Sequence, residues 1–360
     1  MRKRNNITGR VLGASLLLAA CFVQTAMADT VYVDASSLNY RSGPSMESPV
    51  VGNLARGTKV EREVNEGEWS RILVGENSFY AASRYLSAEA PKSLAEGASQ
   101  TPAESPYVDE TWEAELKSDA PYASFSKINS GKAIYYHNGS ENRKDKTVCV
   151  NAGHGTKGGS SVKTLCHPDG SPKVTGGTTG AGATTAVAVS SGMTFSDGTP
   201  ESQVTLAMAK ILRDKLLAEG YDVLMIREGE DVQLDNVART VLANEYADCH
   251  IALHWDSTSS DKGCFYMSVP NNSSYRAMEP VASHWQSHNQ LGNCLIEGLR
   301  GAGNKIFSSG SMEMDLTQTS YSTVPSVDIE LGDKASDHSE AVLGRLADGL
   351  ISGINSFFGY

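Results

Sequence analysis

The hydrophobic pattern divides the chain into blocks of different period. Residues 30–87 carry short alternating apolar runs: Val31-Tyr32-Val33, Val50-Val51, Val60, Trp69, Ile72-Leu73-Val74 and Tyr85-Leu86. Turn residues such as Gly43-Pro44-Ser45, Gly52-Asn53 and Gly57-Thr58 separate them. Alternation of this kind, broken at short intervals, predicts a small all-β barrel. Residues 88–125 are rich in Ala, Ser, Pro and Glu and poor in large aliphatics, which predicts a linker. From residue 146 strand-like and helix-like periods alternate. Residues 146–151 place Val148 and Val150 on one face of a strand, and 201–219 space Val204, Leu206, Ala207, Ile211, Leu212 and Leu216 as one face of a helix. Further strands are predicted at 221–226, 249–253, 263–269 and 326–331, and further helices at 235–247, 284–301 and 339–357. Strands alternating with helices predict an α/β domain over 126–360, with a mostly parallel sheet and helices on both faces. One stretch interrupts the alternation. Residues 156–200 are packed with Gly, Ser, Thr and Ala, and an insertion that long inside a compact domain has a function or no fixed structure.

Residues 1–28 open with Arg2, Lys3, Arg4 and Arg10, continue as an apolar run from Val11 to Val23, and close with Ala26-Met27-Ala28. This is the layout of a cleaved signal peptide, and the run is too short for a membrane span. Leu18-Ala19-Ala20-Cys21 offers a competing lipoprotein cleavage position. Cleavage after Ala28 is the expectation, because the bulky Phe22 suits the lipoprotein reading poorly. The predicted location is therefore secreted, with no membrane span. About 330 residues remain after the leader, more than one domain usually holds. The formal charge of −11 includes +4 from residues 1–28, which leaves −15 for the rest. Such acidity makes a nucleic acid an unsuitable partner. The five cysteines beyond the leader (Cys149, Cys166, Cys249, Cys264, Cys294) form no CxxC, so a thiolate zinc knuckle and a thioredoxin-type pair are unsupported.

Chemistry-bearing residues gather at the predicted element ends. Asn151-Ala152-Gly153-His154-Gly155 ends the first strand of the α/β region, and Ile251-Ala252-Leu253-His254-Trp255 ends a later one. Ligands collect at the carboxyl ends of parallel strands. Glu201 heads the long helix, where the dipole favours an anion, and Val327-Asp328-Ile329-Glu330-Leu331-Gly332 carries a strand that closes on Glu330. Singly, each residue has an ordinary structural explanation. Together, two histidines and one glutamate with an open fourth position form a known catalytic zinc set, and Glu330 adds a second carboxylate. Other hydrolytic signatures are missing: there is no HExxH around His250 and His254, and no Gly-x-Ser-x-Gly elbow. His284 and His288 share a helix face and read as a solvated pair.

On these motifs the region from 146 to 358 resembles the zinc-dependent N-acetylmuramoyl-L-alanine amidases of the Amidase_3 type. The resemblance is carried by Asn151 to Thr156, by Glu201-Ser202-Gln203-Val204-Thr205-Leu206, by Arg227, Asp231, Leu234, Arg239 and Ala243-Asn244, by Ala252 to Asp256, and by Pro325 to Gly332. It implies zinc on His154, Glu201 and His254, proton transfer by Glu330, and cleavage of the bond joining N-acetylmuramic acid to L-alanine of the peptidoglycan stem peptide. The chain departs from the pattern in the 47 residues separating His154 from Glu201, in Asn151 for an aspartate, and in Trp255-Asp256. Residues 29–87 resemble the bacterial SH3-like (SH3b) domain through Leu38 to Ser45, Val51-Gly52, Gly57 to Val60, Trp69 and Ser83 to Ser87. Two other functions stay open: a non-catalytic wall-binding protein, and a zinc peptidase that cuts within the stem peptide.

Overall fold

The computed structural model describes residues 29–34, 37–45, 48–55, 57–75, 77–89 and 105–360. The leader at 1–28, with Cys21 and both cleavage positions, and residues 90–104 of the expected linker lie outside the described residues. The chain divides into two units.

The first unit is one sheet of seven strands: β1 (Asp29–Val33), β2 (Ser37–Arg41), β3 (Val50–Ala55), β4 (Lys59–Asn65), β5 (Trp69–Val74), β6 (Asn77–Ala82) and β7 (Leu86–Ser87). Its order is β3-β2-β6-β5-β4-β1-β7, and the registers of β1, β4, β5, β6 and β7 are antiparallel. The alternation seen in the sequence is realised: Val31, Val33, Val60 and Ile72 are buried. An antiparallel sheet whose order runs from β3 to β7 stands where a small barrel was expected.

The second unit is organised around an eight-stranded sheet. Its members are β8 (Val108–Ala114), β9 (Ala133–Asn138), β10 (Thr147–Ala152), β13 (Asp222–Met225), β14 (Cys249–Asp256), β15 (Cys264–Ser268), β16 (Ile306–Glu313) and β17 (Ser326–Asp333). β11 (Lys163–Leu165) and β12 (Thr185–Val187) pair separately inside the insertion. The helices are α1 (Glu201–Ala218), α2 (Asn236–Tyr246), α3 (Ser273–Ala277), α4 (Val281–Gly301), α5 (Thr317–Tyr321) and α6 (Glu340–Phe358). No helix among the described residues is long and apolar enough to cross a membrane.

The sheet order, β16-β15-β17-β14-β10-β13-β9-β8, corrects the expectation of a mostly parallel sheet. β13-β10-β14-β17 and β15-β16 pair in parallel, but β9 runs antiparallel to β13, β8 to β9, and β15 to β17. The sheet is mixed. Hydrophobic period assigns a residue to a face and carries no information on strand direction, and that is why the pattern misled. β8 lies within the stretch read as linker; most of its residues are exposed, so it offers no apolar alternation to read. Trp112 of β8 stacks on Tyr135 of β9 at 4.2 Å between ring centroids.

One face of the sheet holds the main core. Val148, Val150, Ile251, Leu253, Val327 and Ile329 pack there against α1, α4 and α6. The opposite face carries a smaller cluster under α2, with Cys149, Leu224, Ala238 and Leu242. Asp235 caps α2 by accepting the Ala238 N–H at 2.8 Å. The same carboxylate accepts the N–H groups of Lys127 and Ile128, which ties the N-terminal arm of this unit to α2.

Candidate metal centre

His154 follows β10 in the left-handed region, with φ 63°, a conformation that costs energy for a residue with a Cβ and recurs at functional turns. Two buried arginines hold it there. Arg239 donates to Asn151 Oδ1, to the carbonyls of Ala152 and His154, and to Thr156 Oγ1. Arg227 donates to the carbonyls of Gly153 and Ser202, joining the turn to the start of α1. Complete burial, and then the charge of neighbouring Arg227, lower the Arg239 guanidinium to about 9. Gly153 is needed for a different reason: a Cβ there would lie 2.3 Å from the His254 ring.

The turn brings His154 against Glu201 at the first position of α1 and His254 on β14. His154 Nε2 lies 2.8 Å from Glu201 Oε1, His254 Nδ1 lies 3.2 Å from the same oxygen, and the two nitrogens are 3.0 Å apart. These three residues are the group among the described residues whose atoms could hold a metal ion. The donor set is one that can accept a cation. His154 Nδ1 faces the Ser190 carbonyl at 2.8 Å, which only accepts, so Nδ1 carries the proton and Nε2 presents a lone pair. That lone pair, the His254 Nδ1 and a carboxylate oxygen converge, and only a proton or a metal reconciles them. A tetrahedral zinc with bonds of ~2.0–2.1 Å places its ligand atoms ~3.3 Å apart, close to the separations found. The residues fit the ion.

The charge balance of the site agrees. Burial alone would raise the Glu201 carboxyl, but His154 and His254 hold it well below the usual carboxylate range. The His254 ring is desolvated, which lowers it, yet Asp328, Glu201 and Glu330 together raise it to about 10. Glu330 sits beside His254 in the register of β17 and β14. Burial first, and then the Asp328 carboxylate, push its carboxyl well above the ordinary value. Glu330 Oε2 and Asp328 Oδ1 are buried with no hydrogen-bond partner among the described residues. Buried polar atoms are rarely left bare, and both belong to residues lining the cleft at the metal centre.

The structure thus brings His154, Glu201, His254 and Glu330 to one cleft of about 470 Å3. Asp328 joins them. Its carboxylate reaches within 3.7 Å of His254 Nε2, and the sequence reading missed it, although position i−2 on a strand shares a face with Glu330. His250 and His288 are not part of the centre. His250 is bonded to Asn151 and Ser326, and His288 accepts the Ser326 N–H at 3.0 Å. Burial takes both rings down to about 3, so both are neutral structural histidines. His288 is therefore buried, against the solvated reading. The five cysteines beyond the leader are free, four of them buried.

Residues 148–351, more than half of the 360, match the Amidase_3 family, described as N-acetylmuramoyl-L-alanine amidase. The chain belongs to this amidase family. Its members act on peptidoglycan, and the matched span contains all four residues of the cleft predicted to carry the chemistry. Similar solved structures include the N-acetylmuramyl-L-alanine amidase Ami1 from Mycobacterium smegmatis, 18% identical with a TM-score of 0.49 over 60% of this chain and 97% of that one. The N-acetylmuramoyl-L-alanine amidase from Clostridium difficile 630 is 17% identical, with a TM-score of 0.42 over 59% of this chain and 97% of that one. AmiC2 of Nostoc punctiforme is 16% identical, with a TM-score of 0.42 over 62% and 100%. At such values the likenesses bear no weight for the site. No curated protein matches the chain.

Proposed function

We propose that this amidase is zinc-dependent and hydrolyses the amide between N-acetylmuramic acid and L-alanine in peptidoglycan, with the ion on His154, Glu201 and His254 and proton transfer by Glu330. The observation that carries the reading is the convergence of three ligand atoms beside the bare oxygen of Glu330. A zinc ion bound there supplies Lewis acidity to the scissile carbonyl and acidifies a water. Glu330 Oε2, free of partners, accepts the proton of the attacking water and returns it to the departing nitrogen. Burial and the Asp328 carboxylate raise its carboxyl above the ordinary value, the direction that eases return of the proton. Glu201 stays ionised as a ligand. The cleft has the size of a small-ligand site, enough for the junction of a sugar and the first residues of a peptide. We place the protein outside the cell, in contact with the wall, on the strength of the leader pattern at 1–28. The SH3b resemblance of residues 29–87 makes the first unit the candidate wall-recognition module.

The test is digestion of purified sacculi by the zinc-loaded and the chelator-treated protein, with mass spectrometry of the products. Free stem peptides with L-alanine amino termini and intact glycan, released only with zinc, are expected. Fragments cut inside the stem would identify a peptidase instead. Sacculus binding without release by the loaded protein would identify a non-catalytic wall binder.

A further inference from the structure

The insertion at 156–200 lies against the metal centre at its C-terminal limb, Ser190 to Met193. The Ser190 carbonyl accepts the Nδ1–H of His154 at 2.8 Å, and the Met193 N–H donates to Glu201 Oε2 at 2.8 Å. The limb is held in turn by the Glu201 N–H on the Met193 carbonyl at 3.0 Å. Between these contacts Gly192 sits at φ 81°, where a Cβ would come within 2.8 Å of the His154 ring and 2.9 Å of Glu201 Oε2. The backbone therefore closes directly over two of the three ligands.

The rest of the insertion is built to keep that limb in place. β11 and β12 pair across it, the Ala188 N–H bonds to the Val162 carbonyl, and the Ala188 carbonyl accepts the N–H of Asn236 at the start of α2. Its middle is pinned to buried Asp315, which accepts from His167 Nε2 at 2.9 Å and from the Val174 N–H at 2.7 Å and is paired with Lys173. Phe195 is buried against Trp255 and His338. None of this resembles a lid waiting to open.

We infer that the insertion is a positioning element of the metal centre: its Ser190–Met193 limb fixes the tautomer of His154 and the rotamer of Glu201, so that this chain's metal affinity depends on the insertion. A partner on the second nitrogen of a ligating histidine sets which nitrogen is free and how basic it is, and loss of such partners typically costs 10–100-fold in affinity. The inference rests on the metal reading given under Proposed function.

The test is Gly192→Ala in the full chain, with Gly170→Ala as the control. Gly170 also has a positive φ, at 75°, but nothing lies within 4 Å of the added methyl. Zn2+ affinity is measured by chelator competition, the Co2+ visible spectrum reports ligand geometry, and the Tm of the metal-free proteins reports the fold. Gly192→Ala is expected to lose at least about tenfold in Zn2+ affinity and to alter the Co2+ spectrum, while Gly170→Ala matches the parent protein in both. Parent-like affinity and spectrum in Gly192→Ala would overturn the inference and leave the metal reading standing. A parent protein that binds no Zn2+ at all would instead remove the metal reading itself. Should Gly192→Ala not fold, hydrogen exchange of the parent decides: metal binding is expected to slow the amides of 190–193, and exchange unchanged by metal overturns the inference.

Discussion

The two faces of β14 and β17 differ residue by residue. Leu253, Trp255, Ile329 and Leu331 point into the main core under α1, α4 and α6, while His254, Asp328 and Glu330 line the cleft. The same backbone serves both. The apolar face supplies the free energy that keeps the strands in register, and the polar face uses that register to set His254 beside Glu330. The cost falls on the second face, which holds carboxylates that burial disfavours. A rigid apolar layer is what allows such a cluster to persist.

Substitutions on the two faces should therefore separate function from stability. The largest effect is expected from His254→Ala, which removes a ligand atom: metal content falls to background and turnover on sacculi disappears, both measurable on one preparation. Glu330→Gln should keep its zinc and fold yet lose about 10^2–10^4-fold in kcat, the usual contribution of a proton-transfer group; a fully active variant would remove the role assigned to Glu330. One residue away on the other face, Leu253→Ala should do the reverse. Truncation of a fully buried leucine costs about 2–5 kcal/mol, read by denaturant unfolding, while the zinc affinity of the folded fraction stays near that of the parent. Asp328→Asn lies between these. Removal of the charge facing His254 Nε2 should weaken zinc binding about tenfold, read by chelator competition.

The smallest effect concerns pH. In the metal-free protein the His254 ring is raised from 6.5 to about 10. Its protonated form therefore stabilises the fold fully below pH 6.5, and that contribution is lost as the pH climbs through about 10. The Tm of the metal-free protein should fall over this window, and His254→Gln should flatten the fall. With zinc on Nδ1 the cation replaces the proton, and that share of the pH dependence should vanish.

Much of this arrangement could be read without coordinates. The apolar periods located β10, α1, β13, α2, β14, α4, β17 and α6 to within a few residues, because burial on one face leaves a repeat of two or of three to four residues in the chain. The four polar exceptions at the ends of those elements, His154, Glu201, His254 and Glu330, stood out against that repeat. β8 and β16 leave no such repeat, since β8 is a mostly exposed edge strand and β16 is exposed or half-buried along most of its length. Asp328 gives no sequence signal of its own, because a single aspartate between Val327 and Ile329 looks like an ordinary strand residue until its face is known.

The sequence by itself determined which residues face the core, where the chain switches between strand and helix, and which polar side chains stand at the element ends that meet in the cleft. Those are local properties, encoded by spacing within about twenty residues. Only the tertiary structure decided that the sheet is mixed, that Asp328 faces His254, that Arg239 and Arg227 hold the His154 turn, and that the Gly-rich insertion closes over His154 and Glu201. Each of these rests on contacts between segments distant in the chain, such as His154 with Ser190 or His167 with Asp315. Backbone carbonyls and N–H groups make several of them, and every residue carries those alike, so no pattern of side chains could announce them.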